Sequence, residues 1–224
     1  MTRETRPIHL ERTLIYIPIV HTPADMGALR EKVRQKGLQR MGPQGWRRKI
    51  SIINNLWSEI ERTVEGIDLT YKKVLIYQDG LPVCGREVEI VRDLARAGSR
   101  NHHLLLRLME KGAQIMGTES AELLVEEYEL NKQILDAGEK LGPSRMGVRQ
   151  KALSDELLKR RDQFISHRIN TTLKAGETGI LFLGILHSLG NLLAKDIEVI
   201  YPIHLSNRGG QEDDRTPDTG PDCR

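Results

Sequence analysis

The stretch Gly179-Ile-Leu-Phe-Leu-Gly-Ile-Leu-His-Ser-Leu189 decides the fold of this chain of 224 residues. It is almost wholly apolar, which is typical of a strand that is buried on both faces, as strands are in a parallel sheet. Ligands and catalytic groups in such sheets gather just beyond the carboxyl ends of the strands. Because His187 follows the apolar run, the sequence predicts that its imidazole lies at the functional edge of a sheet.

The rest of the chain alternates further apolar runs with stretches of helical periodicity, and three of those runs end at His21, Asp79 and Glu119. Regular alternation of this kind predicts an α/β fold, with a mostly parallel sheet of about five strands and helices on both faces. In the first of these runs, 14–20, Pro18 cannot donate a ladder hydrogen bond. We therefore expect either that the strand stops near Ile17 or that Pro18 faces a gap in the sheet.

Two long helical patterns precede the fourth strand and are separated by a break that contains Gly142, Pro143 and Gly147. We expect the segment from about 117 to 152 to form a helical insertion, or a lid, within a single α/β domain of residues 1–205. Residues 206–224 lack apolar periodicity, so we expect a flexible tail there.

Composition limits the classes of protein to consider. The net charge is only +3 and aromatic residues make up 4% of the chain, which argues against a nucleic-acid surface built on base stacking. Cys84 and Cys223 are too few and too far apart for a disulfide framework or a cysteine-rich zinc site. The charged N-terminus does not resemble a signal peptide, and no apolar run is long enough to span a membrane. We expect a soluble, cytoplasmic protein.

The polar residues that follow the strands could converge at one edge of the sheet. Imidazole and carboxylate groups together can bind a divalent metal, for which His21, Glu119 and His187 are the expected ligands, or can serve as a general base with its orienting partner. Each residue also has a purely structural interpretation. Either histidine could bond a loop carbonyl, Asp79 could form the turn at Gly80, and Glu119 could favour the dipole of the next helix.

Arg161 belongs to the predicted site for a different reason. It shares one helical face with Leu157, Phe164 and Ile165, which places a guanidinium on a buried stripe. A buried arginine requires an anionic partner, so we expect Arg161 near the carboxylates at the strand ends. The structural alternative is an ordinary salt bridge to a carboxylate on a neighbouring helix.

A basic cluster follows the first strand, and its side chains could capture an anionic ligand at the same edge. Arg48, with Arg145 and Arg149 from the break between the long helices, is the expected substrate contact. A solvated helix face is the alternative, and His102 and His103, which open a short helix, are also expected to be solvated. The cluster consists of Arg30, Lys32, Arg34, Lys36, Arg40, Arg47, Arg48 and Lys49.

The segment that begins Arg161-Asp-Gln-Phe-Ile-Ser-His and ends Gly184-Ile-Leu-His187 resembles the C-terminal signature of the TraB/TIKI/ChaN/erythromycin-esterase superfamily. In that superfamily an arginine that begins a helix is followed by an apolar strand that ends in Gly-x-x-His. A second Gly-x-x-His follows the first strand there, whereas this chain has Pro18-Ile-Val-His21. The resemblance implies an α/β fold with helical insertions and a site at the strand ends. It leaves the chemistry open, because members include metal-dependent proteases, metal-free esterases and haem-binding proteins.

The sequence therefore predicts a hydrolase that acts on an anionic, peptide or ester substrate. A metallohydrolase is one form that this prediction includes. His187, His21, Glu119, Asp79 and Arg161 are its predicted catalytic residues, and Arg161 is expected to stabilise developing oxyanion charge. Two alternatives remain open. One is a non-catalytic module that binds an anionic small molecule such as a nucleotide, and the other is an interaction protein whose strand-end groups are structural.

Overall fold

A computed structural model describes residues 11–141 and 148–203 of the chain. Within these ranges five strands alternate with five α-helices. The strands are β1 (Arg12–Ile19), β2 (Val74–Gln78), β3 (Gln114–Met116), β4 (Thr178–Gly184) and β5 (Ile197–Ile200). The helices are α1 (Arg30–Glu65), α2 (Glu87–Arg96), α3 (Arg100–Glu110), α4 (Ala121–Leu141) and α5 (Val148–Thr172).

The five strands form one sheet in the order β3-β2-β4-β1-β5, and every neighbouring pair is parallel. The predicted α/β fold with about five strands is thereby confirmed, and the two long helices α4 and α5 stand before β4 as expected. The chain places β2 and then β3 to one side of β1, and afterwards returns to insert β4 between β1 and β2. This reversal of direction is the position where open parallel sheets form their ligand sites.

Helices cover both faces of the sheet, as predicted. On one face, side chains of α1, α2 and α3 pack against inward-facing residues of the strands, with Trp57 and Leu104 fully buried. On the other face, Ile165 and Ile169 of α5, with Leu173 just after the helix, pack against Leu181 and its neighbours. Each face buries one continuous apolar cluster, which is the main source of stability for a fold of this kind.

The apolar run that follows Thr178 forms the centre of the sheet. Residues 179–184 are all buried, and β4 pairs with β1 on one side and with β2 on the other. Regular strand structure ends at Gly184, three residues before His187. The His187 N–H then donates to the Gly184 carbonyl at 3.0 Å, and this tight turn brings the imidazole back over the edge of the sheet.

β1 continues through Pro18 to Ile19, and hydrogen-bond direction explains why the proline is tolerated. The Arg12 N–H donates towards β5 and the Thr13 N–H donates towards β4. Because these directions alternate along a parallel strand, an N–H at position 18 would point towards β5. The pairing of β1 with β5 ends at Ile15, so Pro18 faces a gap in the sheet. Of the two expectations stated for this position, the gap is correct.

Helix α1 consists of two parts with different roles. Its helical geometry is interrupted at Gly42, where φ is 69° and ψ is 172°, and Pro43 follows. All the buried residues of α1 lie after this break, from Ile53 to Val64, and the Trp57 Nε1–H donates to the Val20 carbonyl at 3.1 Å. The part before the break carries much of the basic cluster and does not contribute to the core.

In the ranges 11–141 and 148–203, no helix combines the length and apolar composition that crossing a membrane requires. The predicted tail at 206–224 and the predicted substrate contact Arg145 lie outside the described residues.

The Pro18 geometry yields a prediction about stability. Pro18→Val should change the free energy of unfolding by less than about 1 kcal/mol, because no ladder partner is available at that position. Ile17→Pro should cost at least about 3 kcal/mol, because the N–H of residue 17 points towards β4. Urea denaturation measures both values, with Ile17→Ala as the control for lost side-chain volume. Similar changes in the free energy of unfolding for Pro18→Val and Ile17→Pro would contradict this account.

Candidate active site

The order of the strands brings three of the predicted residues together. β4 lies between β1 and β2, so the segments that follow these strands meet at one edge and carry His187, His21 and Asp79. The segments after β2 and β3 also run side by side, because the Val83 N–H donates to the Glu119 carbonyl at 2.9 Å. All four residues predicted from the strand ends are therefore neighbours.

Asp79 lies at the centre of this group, and its side chain is only 3% exposed. Its Oδ2 accepts hydrogen bonds from the Gly184 N–H at 2.9 Å and from His21 Nε2 at 3.1 Å, and His187 Nε2 lies 3.7 Å away. Its Oδ1 accepts from Arg161 at 2.7 Å. The carboxylate therefore contacts both imidazoles and the guanidinium, which favours the site interpretation of Asp79 over a role in the turn.

Arg161 is buried on α5, as its helical stripe predicts, and each of its guanidinium nitrogens donates to a carboxylate. Nε and Nη2 form a two-point contact with Glu119 at 2.7 and 2.6 Å, and Nη2 also donates to Asp79. Nη1 donates at 2.5 Å to Glu127, a residue of α4 that sequence reasoning missed. Four of the five N–H groups of the guanidinium donate to these three carboxylates, so its positive charge is already balanced within the site.

Glu119 is fully buried, and its side-chain hydrogen bonds are made to Arg161 and to the Gly80 N–H. Its Oε1 accepts from the Gly80 N–H at 2.8 Å in addition to Arg161. Burial raises the pKa of Glu119, and the hydrogen bonds and charge of Arg161 oppose that shift.

His21 and Asp79, which are in contact, have pKa values that shift in opposite directions. Burial would favour the neutral carboxyl of Asp79, but the hydrogen bond from His21 and the nearby charges of His187 and Arg161 hold its pKa well below the ordinary value. Burial would favour the neutral ring of His21, but the hydrogen bond to Asp79 and the charges of the nearby carboxylates together outweigh it and raise the pKa of His21. Both shifts stabilise an ion pair between His21 and Asp79.

His187 is oriented by Asp162, which sequence reasoning also missed. His187 Nδ1 lies 2.5 Å from Asp162 Oδ1, and the Ser188 N–H donates to Asp162 Oδ2 at 3.1 Å. A carboxylate accepts hydrogen bonds, so Nδ1 carries a ring proton, and Nε2 lies on the side of Asp79, 3.7 Å from its Oδ2. A signal for Asp162 was present in the sequence, because it lies three and seven residues before the buried Ile165 and Ile169 on the same helical face.

Three side chains could together hold a metal ion, and they include Asp79 in place of the expected His21. One ligand atom each from Asp79, Glu119 and His187 lies within 4.8 Å of the other two. However, Nη2 of Arg161 already bridges the two carboxylates at 2.7 and 2.6 Å. A divalent cation would have to bind beside this fixed positive charge, so the donors suit the guanidinium better than a metal.

A cavity of about 460 Å³ opens at this edge of the sheet. The buried side chains of Asp79, Arg161 and His187 line it, and His21 joins them with a side chain that is 34% exposed. Helix α4 supplies one wall, which gives part of the predicted helical insertion a place beside the site. The 3-10 segment Pro23–Leu29, which directly follows His21, supplies another wall.

The basic residues predicted to contact substrate do not line this cavity in the part of the chain that the structure describes. Arg48 is exposed on α1, and Arg149 is exposed in the first turn of α5. The basic part of α1 contacts α4 instead, since Lys32 pairs with Asp136 at 2.7 Å and Lys36 donates to the Leu135 carbonyl.

A buried network behind the cavity anchors the Pro23–Leu29 segment. Ser99, the N-cap of α3, donates to Asp25 at 2.5 Å and contacts His102 Nδ1 at 2.7 Å. Because the hydroxyl proton goes to the carboxylate, Nδ1 of His102 must be the donor to Ser99. The expectation that His102 is solvated is therefore wrong, and only His103 is exposed. The apolar helix face around His102 accounts for its burial.

No model of a known protein family, no curated protein and no solved structure matches this chain. The superfamily resemblance of the segment that ends in Gly184-Ile-Leu-His187 stays a prediction.

The packing around Gly184 predicts the effect of adding one methyl group. A Cβ at this position would lie 2.8 Å from Asp79 Oδ2, 3.6 Å from His187 and 3.7 Å from His21. Gly184→Ala should displace these groups and lower the free energy of unfolding by about 1 to 3 kcal/mol. Gly190→Ala is the matched control, because its Cβ would meet no atom within 4 Å. Thermal denaturation of both variants tests this, and equal stability would contradict the crowding described here.

The burial of His102 leads us to expect that the stability of the protein depends on pH. Burial lowers the pKa of His102 to about 4, although the charge of Asp25 opposes the shift. Between pH 6.5 and about 4 the unfolded state therefore binds more protons at this residue, so stability should fall as the pH falls through this window. His102→Asn keeps a hydrogen-bond donor without a titrating ring, and should reduce the loss between pH 7 and 4.5 by about 2 to 3 kcal/mol.

Urea denaturation at the two pH values measures the loss for each protein. His103→Asn, which changes an exposed neighbour, serves as the control and should lose as much stability as the unmodified protein. Identical pH dependence in His102→Asn and His103→Asn would show that His102 does not titrate as described.

Proposed function

We propose that this protein is a hydrolase for esters or amides in which His187, oriented by Asp162, is the general base. The observation that carries the proposal is the contact of 2.5 Å between Asp162 and His187 Nδ1 beside a cavity. A carboxylate that holds one ring nitrogen of a histidine lining a cavity is an arrangement that general bases use. An interaction protein would have no need to keep an oriented imidazole beside a cavity of this size.

The reaction that this geometry supports begins with a water molecule between His187 Nε2 and the carbonyl carbon of the substrate. The water oxygen bonds to that carbon while its proton passes to Nε2, and Asp162 stabilises the imidazolium that forms. The carbonyl oxygen becomes the oxyanion of a tetrahedral intermediate. When the bond to the leaving group breaks, the leaving oxygen or nitrogen takes up the proton that His187 Nε2 received from water, directly or through His21, and the His187 ring returns to its neutral form.

His21 is the second proton carrier in this proposal. Its side chain is 34% exposed in the cavity, and the ion pair with Asp79 raises its pKa. A protonated His21 can donate to the oxyanion or to the leaving group. Arg161 then acts as a positioning residue, because its charge is balanced by Asp79, Glu119 and Glu127 and it holds these side chains in place.

We propose further that the reaction does not need a metal ion. Asp79 and Glu119 already neutralise Arg161, and every oxygen of the two carboxylates accepts a hydrogen bond. The superfamily resemblance allows this chemistry, since it includes metal-free esterases as well as metalloproteases. The divalent metal expected from the sequence is the alternative that elemental analysis of the purified protein would reveal.

The catalytic assignment predicts the behaviour of two variants. His187→Ala should lower kcat/KM for a hydrolysed ester or peptide by at least about 100-fold, because the base is lost. Asp162→Asn should also lower it, because the amide no longer favours the protonated ring. A screen of generic ester and peptide substrates supplies the activity, and kcat/KM is then measured with and without a chelator.

His167→Ala is the matched control, since His167 is exposed on the same helix and should leave kcat/KM unchanged. Unchanged turnover in His187→Ala would contradict the role of His187. Activity that a chelator abolishes and added metal restores would contradict the metal-free mechanism while leaving the hydrolase assignment intact.

A further inference from the structure

We propose that the cavity selects an uncharged substrate with an apolar acyl group, and that it discriminates against anionic substrates. This inference rests on the proposed hydrolase function and names the substrate class of the same site. This substrate class differs from the anionic ligand that the basic cluster in the sequence predicts. The inference is supported by the apolar wall of the cavity, by the solvent exposure of that wall and by the distribution of charge around it.

Apolar side chains from three separate elements line the cavity. Each element also supplies or adjoins a charged residue of the site, so the apolar wall surrounds the catalytic groups directly. The contributing side chains are Met26 and Leu29 of the Pro23–Leu29 segment, Leu124 and Tyr128 of α4, and Ile185 and Leu186 of the turn after β4.

Part of this wall is left in contact with solvent. Leu186 is 78% exposed, Ile185 is 56% exposed and Tyr128 is 40% exposed. Ile185 and Leu186 directly precede His187, so an apolar group that covers them would lie beside the general base. Covering such surface is favourable by roughly 25 cal/mol for each Å² removed from water, which gives an apolar substrate group a reason to bind here.

The charges around the cavity disfavour an anion. Among the described residues that line it, Arg161 is the permanent cation, and each of its nitrogens already donates to a carboxylate. Asp25, Asp79 and Glu127 supply negative charge, and the Glu127 side chain is 37% exposed. An anionic substrate group would meet these carboxylates without a matching cation other than His21, which is already paired with Asp79.

The volume of the cavity, about 460 Å³, lies within the range of small-molecule sites and suits an acyl group of moderate length.

Nitrophenyl esters of acetate, butyrate and hexanoate test the preference for an apolar group. The nitrophenyl monoester of adipate has as many acyl carbons as the hexanoate ester but ends in a carboxylate. We expect kcat/KM to rise about threefold to fourfold for each added methylene. The hexanoate ester should exceed the adipate monoester by at least about tenfold, because repulsion by the carboxylates costs binding energy.

A variant at the cavity mouth tests the place of binding. Leu186→Ser should lower the ratio of kcat/KM for hexanoate over acetate by at least about threefold, because apolar contact area is lost. Leu153→Ser is the control, since Leu153 is 50% exposed on α5 but does not line the cavity, and it should leave that ratio unchanged.

A binding measurement separates this inference from the hydrolase proposal. 4-Phenylbutyramide and 4-phenylbutyrate have nearly the same shape and differ in charge, and their Kd values are obtained by NMR titration of the unmodified protein. We expect the amide to bind at least about tenfold more tightly, because the carboxylate meets the negative charge of the wall.

The possible outcomes point to different conclusions. Turnover that favours the adipate monoester, or tighter binding of phenylbutyrate, would overturn the inference while the hydrolase proposal stands. Absence of turnover for every ester, together with preferential binding of the amide, would refute the hydrolase while the preference of the cavity holds. A ratio that falls equally in Leu186→Ser and Leu153→Ser would show that the apolar group does not bind at this mouth.

Discussion

The contact of the Arg161 guanidinium with three carboxylates is the interaction on which the rest of the site depends. Its nitrogens bind Glu119 after β3, Asp79 after β2 and Glu127 on α4. Removing one partner from a buried group of charges leaves the others uncompensated, at a cost of about 3 to 5 kcal/mol. The contact therefore determines how α5 and α4 lie against the edge of the sheet.

The position of the general base follows from that contact. Asp162 is the next residue along α5, so the helix that Arg161 anchors also presents the carboxylate that orients His187. On the opposite side of His187, the Asp79 carboxylate accepts the Gly184 N–H and so joins the turn after β4 to the end of β2. The His187 imidazole thus lies between the carboxylates of Asp162 and Asp79. Asp162 is on the helix that carries Arg161, and Asp79 accepts a hydrogen bond from Arg161.

Much of this arrangement was accessible from the pattern of residues. Each apolar run that ends in a polar residue became a strand of the sheet, and the buried stripe of α5 predicted that Arg161 needs an anionic partner. Glu127 could not be predicted in this way, because it lies on a partly exposed helix whose contact with α5 depends on packing. Asp162 was missed although it lies on the buried face, because a charged residue beside an arginine is usually solvated. The network of His102 could not be predicted either, because its partner Ser99 donates to Asp25, which is distant in sequence.

The sequence by itself determined the class of the fold and the edge at which the functional groups lie. It did so because burial on two faces requires continuous apolar strands, and because parallel strands all end at the same edge. Only the tertiary structure decided which groups meet. Insertion of β4 between β1 and β2 brought His187 to the edge where His21 and Asp79 lie, and the docking of α4 and α5 turned Arg161 towards carboxylates from three parts of the chain. Contacts between residues that are distant along the chain depend on strand order and helix packing, and local periodicity does not encode either of them.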